Sequence, residues 1–226
     1  MVVPQQIDLN RVKGSIDAIL LAPQLTASET VAGCKAAHDL GLASAVVKPC
    51  FVRQAVYALR GSRVVVGTVI GFPHGGNTAH IKLSEAKRAL TEGALELVVM
   101  GNLGYLKAGA FDQYREDIKG VVGLAHMNGA KVKGVLEMGY LSEAEALAGI
   151  EEVVGLNVDW VVSSTGFCPG GATLPDAKAV IAALDGRARA AVMDGVKTVH
   201  DLLAFIEAGC SRVGSSNPRD LLSDFG

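Results

Sequence analysis

VVVGTVIGFPHGGNTAHIKLSEAKRAL (residues 64–90) runs from a β-branched apolar segment, through a loop rich in glycine, into a segment with helical spacing. A strand that is apolar on both faces leaves no side for water, which points to a parallel sheet covered by helices. Working outward, the same unit recurs along the whole chain. Strands are expected at 16–21, 43–47, 63–69, 95–100, 132–137, 158–163, 188–193 and 211–214. The helices that follow them are expected at 27–40, 51–60, 79–92, 110–128, 142–154, 175–184, 198–208 and 217–223. Eight such units fit a closed (β/α)8 TIM barrel better than a doubly wound open sheet. A short N-terminal helix around Gln5 to Val12 precedes the first strand and is expected to plug the bottom of the barrel. Thr26 with Glu29, and Ser142 with Glu145, have the spacing of a capping box and mark two helix starts.

The length of 226 residues fits a single domain spanning 1–226, slightly short of the roughly 250 residues usual for a barrel. A net charge of −2 without a basic run argues against nucleic acid or an anionic membrane as partner and leaves a small molecule. The longest apolar runs, such as Ala18 to Ala22, fall far below the ~20 residues of a membrane span. The opening MVVPQQIDLNRVKG lacks a basic region followed by an apolar core, so a cytoplasmic location is expected. Cys34, Cys50, Cys168 and Cys210 are too scattered for a zinc cluster or a disulfide framework and read as free thiols. No histidine or carboxylate spacing suggests a metal, and no cofactor is expected.

Five blocks carry a resemblance: 64–90, EGALELVVMGNLGYLKAG (92–109), KVKGVLEMGYLSEAEA (131–146), DWVVSSTGFCPGGAT (159–173) and DGVKTVHDLLAFIEAGCSRVGSS (194–216). In this order they resemble deoxyribose-phosphate aldolase, a class I, Schiff-base aldolase family built on a (β/α)8 barrel. The resemblance runs from roughly Ile16 to Ser216. It implies a proton-relay aspartate on the fourth strand, in Gly-Ala-x-Glu-hydrophobic-Asp, and that position is Val98 here. The imine-forming lysine of the sixth strand, in Asp-Phe-x-Lys-Thr-Ser-Thr-Gly, falls on Val162. The second lysine, which lowers the pKa of the first, opens Lys-x-x-Gly-Gly-Val-Arg-Thr and falls on Ala191.

Imine formation needs an unprotonated amine, which a lysine of pKa about 10.4 supplies at neutral pH only after desolvation or beside another cation. Valine and alanine do neither. The three changes are mutually consistent, because an isolated charge left behind in such a site costs several kcal/mol whereas a wholly apolar replacement can be neutral. These positions are expected to line the pocket, and with Met100, Met138, Met193 and Phe167 they give adaptable apolar walls suited to a ligand less polar than a sugar phosphate.

The resemblance also implies an anion-binding corner made by the loops after strands six, seven and eight: Ser164-Thr165-Gly166, Gly195-Val196 and Gly214-Ser215-Ser216. Backbone N–H groups at such turns favour phosphate. Asp194 stands where the family has glycine and sets a carboxylate against a dianion, and Phe167 stands where some members have lysine. Asp194 is therefore a candidate acid or base. Lys48, closing the second strand, is a candidate relocated imine lysine if it points into the barrel mouth. Lys133 and Glu137 lie four residues apart on one face of strand five and are expected to bridge, with Asp17 in the same supporting network. Asn102 is expected to contact a substrate oxygen. Histidine is a natural acid–base residue type, but His74 and His80 have no visible carboxylate partner, and Cys168 has no visible base.

Three functional readings follow. The first is a repurposed lyase, cyclase or isomerase that handles a carbonyl compound without the imine, in specialised biosynthesis. The second is a non-catalytic ligand-binding or regulatory protein, and the third is residual deoxyribose-phosphate aldolase activity. Pairing through helix faces makes a homodimer an expectation of the small-barrel fold.

Overall fold

The computed structural model describes residues 8–193, 195–223 and 225. Eight parallel strands, β1 (Ile16–Leu20), β2 (Ser44–Val47), β3 (Val65–Ile70), β4 (Glu96–Met100), β5 (Lys131–Val135), β6 (Trp160–Val162), β7 (Arg189–Val192) and β8 (Arg212–Ser215), pair in chain order. The ring closes where Ile16, Asp17 and Ala18 face Val213, Gly214 and Ser215. A short helix α1 (Leu9–Lys13) comes first, held at its start by the Asp8 carboxylate, which accepts from the Asn10 and Arg11 amides. The expected N-terminal helix thus begins later among the described residues, and its predicted start at Gln5 lies outside them. Eight helices follow strands on the outside: α2 (Ala27–Leu40), α3 (Val52–Ala58), α4 (Ala79–Thr91), α6 (Phe111–Met127), α7 (Glu143–Gly155), α8 (Leu174–Leu184), α9 (Val199–Ala208) and α10 (Pro218–Ser223). A further short helix, α5 (Leu103–Lys107), precedes α6 and was not expected from the sequence.

Both capping boxes form. Thr26 accepts from the Glu29 amide while the Glu29 carboxylate accepts from the Thr26 amide, and Ser142 and Glu145 repeat the arrangement. None of the described helices is long and apolar enough to cross a membrane.

The period of two along each strand divides the apolar residues between two cores. Leu97 and Val99 of β4, Val161 of β6, and Ala190 and Val192 of β7 face outward into the layer between sheet and helices. Val98 and Met100, Trp160 and Val162, and Ala191 face inward and, with Ile19, Leu21, Val46, Val69, Val135 and Met193, fill the barrel lumen. The lumen is a packed core rather than a pore, as barrels of eight strands require.

Loops at the C-terminal ends of β3 and β4 are fastened to each other from behind. The Lys82 amine of α4, wholly buried, donates to the Gly75 carbonyl at 2.8 Å and to the Asp117 carboxylate of α6. Asp117 also accepts from the Asn102 amide at 2.9 Å. Gly75 has φ +68°, and a Cβ there would lie 2.0 Å from the Gly101 carbonyl oxygen, so the close approach of these loops depends on glycine.

Candidate active site at the barrel mouth

At the N-terminal end of the lumen, a polar layer closes the barrel. Lys133 donates to Asp17 at 2.6 Å and lies 2.7 Å from Glu96, Arg212 contacts Asp17 and bonds Glu96 at 2.7 Å, and Ser44 donates to Asp17 at 2.6 Å. Two carboxylates thus face two cations. Burial alone would raise the Asp17 pKa, but attraction to Lys133 and Arg212, with the hydrogen bonds from Lys133 and Ser44, holds it below the ordinary carboxylate value. Trp160 covers one side of the layer, with the Arg189 guanidinium 3.7 Å from its ring centroid.

The expected bridge between Lys133 and Glu137 does not form. Four residues of extended chain separate them by roughly 13 Å, so that one side chain sits in the bottom layer and the other at the mouth. Glu96 and Arg212 take the place assigned to Glu137. They were missed by the sequence reading, although Glu96 lies two residues before Val98 and so shares its inward face.

Above that layer, Val98, Val162 and Ala191 come together in one apolar cluster, with Val162 and Ala191 directly paired in register. Val98 and Val162 have 0 % accessible surface and Ala191 has 3 %. They form the sealed floor of the mouth rather than the lining of an open pocket, because Ile19, Leu21, Val69 and Met193 pack in the same lumen.

Lys48 is turned to a different task. Its amine donates to the Pro23 and Leu25 carbonyls at 2.9 and 2.7 Å and lies 5.1 Å from the Phe51 ring centroid. It clamps the loop between β1 and α2, which corrects the expectation of a lysine amine free to point into the barrel mouth. Asn102 is likewise committed locally, its side-chain oxygen accepting from the Gly104 amide at 2.9 Å to cap α5. His74 and His80 are exposed on the loop and first turn after β3.

At the mouth, Glu137 adopts φ 53°, a left-handed conformation uncommon for a residue with a side chain, and is buried. Its carboxylate accepts from the Thr165 amide at 3.2 Å, from the Thr165 hydroxyl, and from Ser164 Oγ at 3.4 Å. Cys168 Sγ lies 3.1 Å from Ser164 Oγ. Burial, followed by the hydrogen bond to Glu137, pushes the Cys168 thiol up, so this cysteine is held in its unreactive protonated form.

The loops after β6, β7 and β8 enclose a cavity of about 740 Å³ lined by Gly166, Gly195, Val196, Ser215 and Ser216 together with Lys197. The predicted corner is therefore assembled in part. Ser164 and Thr165 are buried on Glu137 instead, and Gly214 sits within β8 beside Asp17. Phe167 is 53 % exposed between two cavity-lining residues, Gly166 and Cys168. Lys197 is the cation that the sequence reading did not single out. Its position, directly after Gly195-Val196 in the loop following β7, was the available signal. Asp220 adds a carboxylate to the cavity wall. Asp194, the candidate acid or base, lies outside the described residues. The described residues hold no group of three or more histidines, cysteines or carboxylates placed to bind a metal ion.

No family model matches the chain. Individual proteins do. A deoxyribose-phosphate aldolase from Thermoanaerobacter sp. (strain X514) is 39 % identical over 202 residues, covering 89 % of this chain and 91 % of that protein. One from Clostridium kluyveri (strain ATCC 8527) is 36 % identical over 212 residues, covering 93 % and 96 %. Among solved structures, an aldolase designated QR15 superposes with TM-score 0.89 at 30 % identity over 97 % of this chain and 96 % of that one. The tetrameric deoxyribose phosphate aldolase of Aeropyrum pernix gives TM-score 0.89 at 25 % identity, covering 96 % and 91 %. With identity of this level spread over nearly the full length of both partners, this chain belongs to the deoxyribose-phosphate aldolase family.

Proposed function

We propose that the protein is a lyase of this family that acts on a small carbonyl compound at the C-terminal mouth of the barrel, without an imine on the lumen floor. The relatives support the lyase half of that reading. The other half is supported by one observation: Val98, Val162 and Ala191 pack into one cluster of buried apolar side chains, and Lys133, the lysine among the barrel-facing residues of β5, is engaged by two carboxylates. Carbon–carbon cleavage needs a sink for the electron pair that is released. Without an amine, that role falls to hydrogen-bond donors on the carbonyl oxygen, each worth about 10²–10³ in rate where measured. Glycine-turn amides and Lys197 at the cavity are the donors available for an anionic end or a polarised oxygen. Asp194, which follows Met193 in the sequence, is assigned to proton transfer in this reading.

Among substrates, 2-deoxyribose 5-phosphate is the one the relatives' shared name backs, and the comparisons favour its retained cleavage over a new substrate. A less polar carbonyl compound is the second reading, favoured by the apolar lumen. Assayed beside the Thermoanaerobacter relative, the protein is expected to cleave 2-deoxyribose 5-phosphate at least about 10³-fold more slowly, since the covalent electron sink is missing. Asp194→Asn should abolish the remaining turnover while leaving binding intact. Turnover equal to the relative's would overturn the imine-free route. Stabilisation by carbonyl ligands without any turnover would make the protein a binding module instead.

A further inference from the structure

The end of the barrel opposite the mouth carries a cavity of its own. The segments that lead into β1, β2 and β3 enclose about 790 Å³ there. Its polar lining is Asn10 and Lys13 of α1, His38 and Asp39 of α2, and Ser62 and Arg63 between α3 and β3, and the rest of the wall is glycine and aliphatic side chains. Arg53, Lys107 and Arg187 on the outer surface each hold a carboxylate, but no described carboxylate pairs with Lys13 or Arg63. Asp39, the carboxylate of the wall, has no ion pair among the described residues either, so neither cation is neutralised by direct contact. Ser62 Oγ accepts from the Val64 amide at 3.1 Å and lies 2.8 Å from His38 Nδ1. Its hydroxyl proton is therefore assigned to Nδ1, which leaves the imidazole proton on Nε2 as a donor.

Two cations gathered without a counter-charge attract an anion, and an oxyanion there gains charge-assisted hydrogen bonds from ammonium, guanidinium and imidazole. The C-terminal pole of α2 would oppose it, but the Ala37 and His38 carbonyls are already taken by the Leu42 and Gly41 amides, at 3.0 Å each. Asp39 decides the rest of the ligand. A bare phosphate is repelled by that carboxylate, whereas a ligand that turns hydroxyl groups toward Asp39 and Asn10 gives both a partner. We propose that this cavity binds a phosphate ester with a hydroxyl-bearing body, of sugar-phosphate size, at a site separate from the mouth. Lys13, Arg63 and His38 hold the phosphate, and Asp39 and Asn10 hold the hydroxyls. The ligand ties together the entries to three neighbouring strands, β1, β2 and β3, at the end of the barrel that serves stability rather than chemistry.

Calorimetric titration of the full chain with inorganic phosphate and glucose 6-phosphate tests the proposal without needing turnover. Lys197→Ala removes the cation of the cavity at the mouth, so binding is compared in that variant, with and without Lys13→Ala and Arg63→Ala. Glucose 6-phosphate is expected to bind at least about fivefold more tightly than inorganic phosphate, and removing Lys13 and Arg63 should weaken it at least about tenfold. Asp39→Asn should tighten inorganic phosphate and narrow the margin between the two probes. At tenfold over its dissociation constant, glucose 6-phosphate should raise the melting temperature by about 3–5 °C, and Lys13→Ala with Arg63→Ala should erase that rise. Without ligand the same two substitutions should move the melting temperature by less than about 2 °C, because neither side chain has an ion pair to lose. The proposal is overturned if neither probe binds once Lys197 is replaced, or if binding there survives the loss of Lys13 and Arg63. It is equally overturned if inorganic phosphate binds as tightly as glucose 6-phosphate, or if Asp39→Asn leaves both probes unchanged.

Discussion

Lys133→Met is expected to lower the unfolding free energy by about 3–5 kcal/mol and the melting temperature by about 10 °C. Lys133 is 2 % exposed and lies against both Asp17 and Glu96, so methionine fills its volume but leaves two buried carboxylates to share Arg212 alone. The loss comes from that uncompensated charge rather than from the worth of the ion pairs, which an apolar layer could match. The effect is pH-dependent with a definite sign. Asp17 has its folded-state pKa below its unfolded value, so its contribution is fully present above the unfolded pKa near 4 and is lost as pH falls through the folded value. In Lys133→Met much of that depression disappears, and the variant should gain less stability than the wild type between acid and neutral pH. Denaturant unfolding at pH 4 and pH 7 measures both quantities. A loss under about 1 kcal/mol at pH 7 would contradict the picture of a tightly closed ion layer.

Val162→Lys alone is expected to cost a comparable amount, about 3–5 kcal/mol, because it buries an amine among apolar side chains on a floor with no accessible surface. Adding Val98→Asp and Ala191→Lys should return part of that stability by giving the amine a partner, since Ala191 is paired with Val162 in register and Val98 shares the same cluster. The triple variant should also gain an amine that reacts with aldehydes. A single variant as stable as the wild type would mean that the floor opens to water, and the sealed lumen would be the part in error.

The fold was legible because strands such as β2 and β3 are apolar on both faces and some helices begin at a marked residue. Thr26 and Ser142 announce α2 and α7 with capping boxes, and both boxes form. The helix α5 was not legible, since five residues are too few for a period of 3.6 to register. For the site, the family resemblance singled out Val98, Val162 and Ala191, and the structure gathers them on inward faces of the barrel. What alternation does not carry is height along the barrel axis. The stagger between strands decides which inward residues share a layer, and so Lys133 pairs with Asp17, Glu96 and Arg212 from distant strands instead of with Glu137 on its own. Lys48 was misjudged for another reason. Its reach toward the Pro23 and Leu25 carbonyls depends on the path of a loop, which has no periodic signal.

The account stands on the absence of a reactive amine on the lumen floor. Incubation with 2-deoxyribose 5-phosphate or acetaldehyde under sodium borohydride, followed by peptide mass mapping, examines that directly. The wild type should carry no reduced adduct on any barrel-facing lysine, while the Val98→Asp, Val162→Lys, Ala191→Lys variant should carry one at position 162. A stoichiometric, ligand-dependent adduct on Lys133 or Lys48 of the wild type would contradict it.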